Sequence, residues 1–155
     1  MIIRNSLTKK HEEIIPISEG SIKIYSCGPT VYNNLHIGNL SAFIYADILR
    51  RALASAGYEV VHVMNITDVD DKTIRDSRNA YPDDDPKIAL ASLTKKYTDV
   101  FMKDLAKTGN NIEAMEFISA VDTIPEMIEL TQELLDKKVA YIADDGVYFS
   151  ITKYY

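Results

Sequence analysis

Apolar and polar residues alternate along Ser21-Ile22-Lys23-Ile24-Tyr25-Ser26-Cys27 with the period of two that belongs to a strand. From Asn39 or Leu40 the period changes. Leu40, Ile44, Ile48, Ala52 and Ala56 recur every fourth residue, and Phe43, Leu49 and Leu53 widen the stripe, which predicts a helix to about Ala56. Arg50 and Arg51 fall near its end, where the helix dipole favours cations, and Gly57 follows as a left-handed cap. Residues 59–66 then read as a buried strand. Strand, helix, strand predicts a parallel pair joined by a right-handed crossover, so the class is α/β.

Either side of this unit the pattern is thinner. Ile2-Ile3 and Glu13-Ile14-Ile15 read as two short strands around the polar turn Thr8-Lys9-Lys10-His11. Asp68-Val69-Asp70-Asp71-Lys72 opens a short helix, with carboxylates suited to its N-terminal end. Residues 81–86 read as a linker or loop that runs up to the start of a helix. Asp85 as cap and Pro86 as first helical residue start a second long helix whose apolar face is Leu90, Leu93, Tyr97, Val100, Phe101 and Leu105, ending near Gly109. Ile124, Met127, Ile128, Thr131, Leu134 and Leu135 mark a further helix. Residues 139–142 and 147–151 flank Asp144-Asp145-Gly146, a hairpin signal. No repeat and no low-complexity segment interrupts the chain.

Composition narrows the class without naming a function. The chain has 155 residues, 46% hydrophobic and 26% charged, which is one domain or a domain with part of an insertion. No apolar run approaches the ~18 residues of a membrane span, and the N-terminus lacks a signal-peptide layout, so the expected compartment is the cytoplasm. The net charge of −6 is unevenly spread. Residues 1–80 hold nine Lys/Arg and nine Asp/Glu, whereas residues 81–155 hold eight and fourteen. No basic cluster offers a broad grip on nucleic acid, so any such contact must be local or made by other parts of the protein. One cysteine excludes an internal disulfide framework.

The chemistry concentrates in residues 27–39. This loop follows the first strand and leads into the first helix, where open α/β sheets bind ligands and where unpaired N–H groups favour an anion. His36 and Asn39, three apart at the helix entry, can both donate to one phosphate, and Gly38 lets a phosphate or base approach the backbone. The alternative is local: Asn39 caps the helix and His36 satisfies a loop carbonyl. Cys27 is either a small buried residue or a zinc ligand, and no Cys-x-x-Cys or His-x-x-x-His partner stands near it. Thr67 and Asp68, Asp70 and Asp71 follow the second strand on the same sheet edge, the aspartates also being ordinary capping groups. His11, in a polar turn, and His62, alternating along a strand, read as bystanders.

Four ordered blocks together carry a resemblance. They are Tyr25-Ser26-Cys27-Gly28-Pro29-Thr30-Val31-Tyr32, His36-Ile37-Gly38-Asn39, Gly57-Tyr58-Glu59-Val60 and Asn65-Ile66-Thr67-Asp68-Val69-Asp70-Asp71-Lys72. In order and spacing they resemble the N-terminal part of the catalytic domain of the cysteinyl-tRNA synthetases, class I aminoacyl-tRNA synthetases. The resemblance implies a Rossmann-type (HUP-like) parallel sheet, here its first half only (residues 1–80), then part of a mostly helical insertion with a β-hairpin (residues 81–155). It implies activation of cysteine by ATP, with Mg2+, to cysteinyl-adenylate and pyrophosphate, followed by transfer to tRNA(Cys). His36 and Asn39 take the catalytic places, where the family's second histidine is here Asn39. Thr30, His36, Gly38 and Asn39 take the ATP-binding places, and Gly28, Thr30 and Thr67 the cysteine-binding ones. Cys27 matches one of four zinc ligands, the remaining ligands being expected beyond Tyr155. That choice of metal suits a substrate thiol, since an apolar pocket discriminates poorly between cysteine and serine.

The same resemblance sets what to expect elsewhere. The second half of the sheet, the KMSKS-type loop and the tRNA-binding helices also lie further along in the family than Tyr155. This chain is therefore expected to be an incomplete N-terminal portion, inactive and poorly stable alone. The full-length enzyme is expected to act as a monomer, with no protein partner and no membrane. Two other functions fit the same residues: a ligase joining cysteine to an amino-sugar, and a nucleotide-binding module without catalysis.

Overall fold

A computed structural model describes residues 1–154, and Tyr155 lies outside the described residues. The described residues divide into two compact units, Met1–Ser119 and the residues from Ala120 onward.

The first unit is built on a three-stranded parallel sheet. Strands β1 (Ile2–Arg4) and β2 (His11–Glu13) form a separate antiparallel pair with Ile2 opposite Glu13. The second of these strands lies two residues earlier than its apolar residues suggest. The tight turn decides this: Asn5 Oδ1 accepts from Leu7 N at 2.9 Å, Asn5 N donates to the Lys10 carbonyl at 2.8 Å, and Lys9 takes φ 61°. The parallel sheet has the order β3 (Ser21–Ser26), β4 (Glu59–Ile66), β5 (Glu116–Ser119). Helix α1 (Ile37–Ser55) makes the first crossover, and α2 (Asp71–Ala80) with α3 (Pro86–Lys107) make the second.

Strand β5 has no legible signal in the sequence. Glu116-Phe117-Ile118-Ser119 offers two apolar residues and no period, and it becomes a strand because β4 pairs with it from Val63↔Glu116 to Ile66↔Ser119. Ser119 Oγ also donates to the Asp68 carboxylate. The core lies between this sheet and the helices: Val31, Phe43, Met64, Ile66, Phe101, Leu105 and Met115 are buried together. Phe101 meets Phe43 edge-on at 5.3 Å and Phe117 at 6.3 Å, so α1, α3 and β5 close on one aromatic centre.

Arg50 and Arg51 depart from the role the sequence suggested. Helix α1 runs to Ser55 and carries no basic residue in its last turn. Both arginines instead fold back on Asp47, which is buried at 1% exposure. Arg50 donates from Nε at 3.0 Å and Nη2 at 2.7 Å to Oδ1, and Arg51 Nε lies 3.0 Å from Oδ2. A buried carboxylate must be paired, and at i, i+3 and i, i+4 on one helix these two are within reach.

In the second unit, α4 (Ile124–Asp136) precedes the antiparallel pair β6 (Ala140–Ala143) and β7 (Gly146–Phe149), and α5 (Ile151–Tyr154) ends the described residues. Asp144 and Asp145 make the two-residue turn, with Tyr141 and Tyr148 stacked at 5.9 Å across the pair. Among the described residues no helix is long and apolar enough to cross a membrane.

Candidate functional site

The carboxyl ends of β3 and β4 sit side by side, and the two segments leaving them stay in contact. Ser26 pairs with Met64 as the last register position, and Thr30 and Thr67 then form a further parallel bridge, with Val31 N donating to the Thr67 carbonyl at 3.1 Å and Thr67 N to the Pro29 carbonyl at 2.9 Å. Between those fixed points lies Gly28. A Cβ there would stand 1.7 Å from the Asn65 carbonyl oxygen, so only glycine lets the loop cross β4 at this height.

Asn65 organises the crossing. Its Oδ1 accepts from Gly28 N at 2.9 Å and from the Tyr25 hydroxyl at 3.0 Å, while its Nδ2 donates to Thr67 Oγ1 at 2.8 Å. One carboxamide thus ties both strands to the loop. The sequence signal was present in the Asn65-Ile66-Thr67 block, but no spacing rule assigned Asn65 this part.

At the entry to α1, His36 and Asn39 both turn acceptor atoms to the backbone. His36 is the N-cap: its Nδ1 accepts from Gly38 N at 3.0 Å, and Asn39 Oδ1 reaches back to accept from His36 N at 3.3 Å. This is a capping box in which histidine replaces the usual hydroxyl. The ring accepts an N–H rather than donating to a loop carbonyl. Because Nδ1 accepts, the neutral ring carries its hydrogen on Nε2, and Asn39 keeps its Nδ2 hydrogens, so each side chain caps the helix and retains a donor. Gly38 makes room for the fold-back, since a Cβ there would lie 2.9 Å from His36 Cε1.

Cys27, Gly28, Thr30, His36, Gly38 and Asn39 all line one open cleft of about 560 Å3. Thr67 does not line it and is joined to it through Asn65. Asp70 is the N-cap of α2, accepting from Lys72 N at 2.8 Å, and Asp71 opens that helix. Tyr32 and Lys72, neither given a role by the sequence, also border the cleft.

Cys27 is an exposed free thiol, the donor type that zinc favours. Among the described residues, however, no three His, Cys, Asp or Glu side chains are grouped to hold a metal ion. The further ligands expected beyond Tyr155 fall outside the described residues, as does Tyr155 itself. One ligand does not make a site.

His62 is not a bystander to the fold. It is 1% exposed, with Nε2 2.8 Å from Ser26 Oγ and Nδ1 buried without a partner. Burial holds its pKa below the ordinary 6.5, the Arg50 charge adds to that, and Asp47 opposes it. The unfolded chain therefore takes up the proton first as pH falls. The stability that neutral His62 allows is present above about pH 6.5 and is lost progressively below it, down to the lowered folded value. His62→Gln should flatten the fall in unfolding midpoint between about pH 7.5 and 5.5. An unchanged slope in the variant would assign the acid sensitivity elsewhere.

A parallel α/β sheet with a glycine-threaded loop and a histidine-capped helix at its carboxyl edge is the opening of a Rossmann-like class I catalytic domain. Residues 13–155 match the family model of the tRNA synthetases class I (C) catalytic domain, and the chain belongs to that family. It is 45% identical over 150 residues to the cysteine–tRNA ligase of Methanosarcina acetivorans, covering 97% of this chain and 30% of that protein. Against the enzymes of the same name from Leptospira interrogans and Brachyspira hyodysenteriae it is 43% identical over 150 residues and 42% over 154. These alignments cover 97% and 99% of this chain and 30% and 31% of those proteins, so it spans about a third of their length.

Proposed function

We propose that this chain supplies the amino-acid and phosphate-binding edge of a cysteine–tRNA ligase, acting in the cytoplasm as part of a longer monomeric enzyme. The cysteine carboxylate attacks the α-phosphate of ATP and pyrophosphate leaves; the terminal ribose hydroxyl of tRNA(Cys) then attacks the acyl carbon of the adenylate and AMP leaves, while Mg2+, when bound, would screen the phosphate charge. The protein need not enter any covalent bond. Its work is to hold carboxylate and phosphate in line and to stabilise the charge that develops.

The observation that carries this reading is the α1 entry. His36 Nε2–H and the Asn39 Nδ2 hydrogens remain after both side chains have capped the helix, and both residues border the same cleft as Cys27. These donors stand ready for the phosphates, supported by the positive end of α1. Gly38, with no side chain, gives the adenosine room, and Thr30 is available beside it. Gly28 holds the backbone of the amino acid, and Thr67, behind the cleft lining, supports it through the Asn65 carboxamide that bonds to both. Cys27, an exposed thiol, would be one ligand of a zinc ion completed by residues outside this chain. When bound, zinc would select the substrate by its thiol.

Two experiments on the whole protein test this. Cap and donor are separable at His36, because asparagine caps a helix well but lacks the ring Nε2. His36→Asn should leave the unfolding midpoint close to wild type and reduce cysteine-dependent ATP–pyrophosphate exchange about 10²- to 10³-fold, the usual cost of one preorganised donor. Full exchange by this variant would sink the phosphate role. Cys27→Ser should lower the zinc content measured by elemental analysis to background, and zinc retained at the wild-type level would remove Cys27 from the ligand set. Exchange by wild type with no transfer to tRNA would instead favour an amino-sugar acceptor.

A further inference from the structure

We propose that Lys72 is a specific ATP-phosphate contact in this cleft and that Tyr32 holds its ammonium in place until the nucleotide arrives. The proposal rests on the cysteine–tRNA ligase reading above and adds a residue to it. Among the described residues, Lys72 is the only Lys, Arg, Asp or Glu that lines the cleft. Helix α1 offers the nucleotide only a partial positive charge and neutral donors. A triphosphate carries several negative charges, and Lys72 brings a full positive charge to the lining of the cleft that would hold them.

Its position is held at both ends. The Lys72 backbone N donates to the Asp70 cap at 2.8 Å, which fixes the root of the side chain in the first turn of α2. The ammonium lies 5.3 Å from the centroid of the Tyr32 ring, a residue of the loop between β3 and α1. Lys72 makes no ion pair among the described residues, although Asp70 and Asp71 precede it in the chain. A lysine laid over a ring keeps its charge undivided, and the contact is weak enough at an exposed site to be exchanged for a phosphate oxygen. The same contact joins α2 to the phosphate-binding loop. Nucleotide arrival thereby touches both segments that leave the sheet edge.

The test is steady-state pyrophosphate exchange by the whole protein with Lys72→Met, Lys72→Arg and Tyr32→Leu, read as separate KM values for ATP and cysteine. Lys72→Met should raise KM for ATP about tenfold, leave KM for cysteine within about twofold, and leave the thermal midpoint unchanged. Lys72→Arg should restore most of the ATP affinity, and Tyr32→Leu should fall between wild type and Lys72→Met. An unchanged ATP KM in Lys72→Met overturns the proposal. So does a rise in both KM values with a lowered midpoint, which is a structural effect, or a loss confined to transfer onto tRNA. A Tyr32→Leu variant with wild-type ATP KM overturns the holding role of the ring. Wild-type protein without exchange would refute the underlying ligase reading instead, so the two failures are distinct.

Discussion

Gly28→Ala should lower stability by about 3 kcal/mol or more and abolish measurable cysteine-dependent exchange, as read by denaturant midpoint and activity of the whole protein. The obstacle is the backbone of a central strand. The added Cβ would stand 1.7 Å from the Asn65 carbonyl oxygen, 2.9 Å from its carbon and 2.9 Å from Met64 Cγ. Neither side can yield easily. Upstream, β3 is locked to β4 through Ser26↔Met64, and downstream the Thr30–Thr67 bridge closes the same pair again. Displacing the loop also breaks the Gly28 N to Asn65 Oδ1 bond and with it the bridge from Asn65 to Thr67. The contrast is Gly57, where φ is +92° but nothing lies within 4 Å of a Cβ. Alanine there should cost only about 1 kcal/mol of backbone strain. Near-wild-type stability of Gly28→Ala would mean that the strand ends part more readily than their pairing indicates.

Asp47→Ala should cost about 3–5 kcal/mol, because it strands Arg50 as a buried cation without its partner. Arg50 is 8% exposed and gives two hydrogen bonds to Asp47 Oδ1, whereas the Arg51 side chain is 60% exposed and can turn to water. The penalty therefore belongs to Arg50. Replacing both members, Asp47→Leu with Arg50→Leu, should recover most of the loss, since a buried ion pair is often no better than an apolar pair of similar volume. Equal destabilisation of the single and double variants would refute that assignment. Asp47→Ala should also make protonation of His62 harder, because Asp47 is the neighbour that favours the charged ring while Arg50 opposes it. The acid-side fall in stability would then deepen unless the fold is already lost.

Much of this protein could be read along the chain. Helix α1, strand β4, the Asp85-Pro86 start of α3, the Gly57 turn and the hairpin around Asp144 and Asp145 all appear where periodicity and caps place them. So do the parallel β3–β4 pair and the ordered blocks that mark the class I (C) family. Each of these signals is local: a period of two or 3.6, a cap within three residues, or a glycine that must take positive φ. Such features are decided by neighbours in sequence.

The remainder needed the chain folded. Strand β5 exists because β4 presents an open edge to four residues without a period of their own, and Arg50 is a buried partner of Asp47 because α1 turns that face inward. His62 looked like one position in an alternating strand, yet burial and the Ser26 hydroxyl, 36 residues away, define its state. His36 and Asn39 stood out in the sequence, but only their geometry shows that both cap the helix with acceptor atoms and so keep their donor hydrogens uncommitted. Gly28 was named from its place in a motif, and the reason for glycine is the Asn65 carbonyl of another strand. Lys72 gained its place from a ring forty residues earlier. Sequence alone determined most of the elements, because those depend on local periodicity and caps, and its ordered motif blocks carried the family. Tertiary structure decided burial, partner and room at each site residue, because those are set by atoms that the fold brings together from distant parts of the chain.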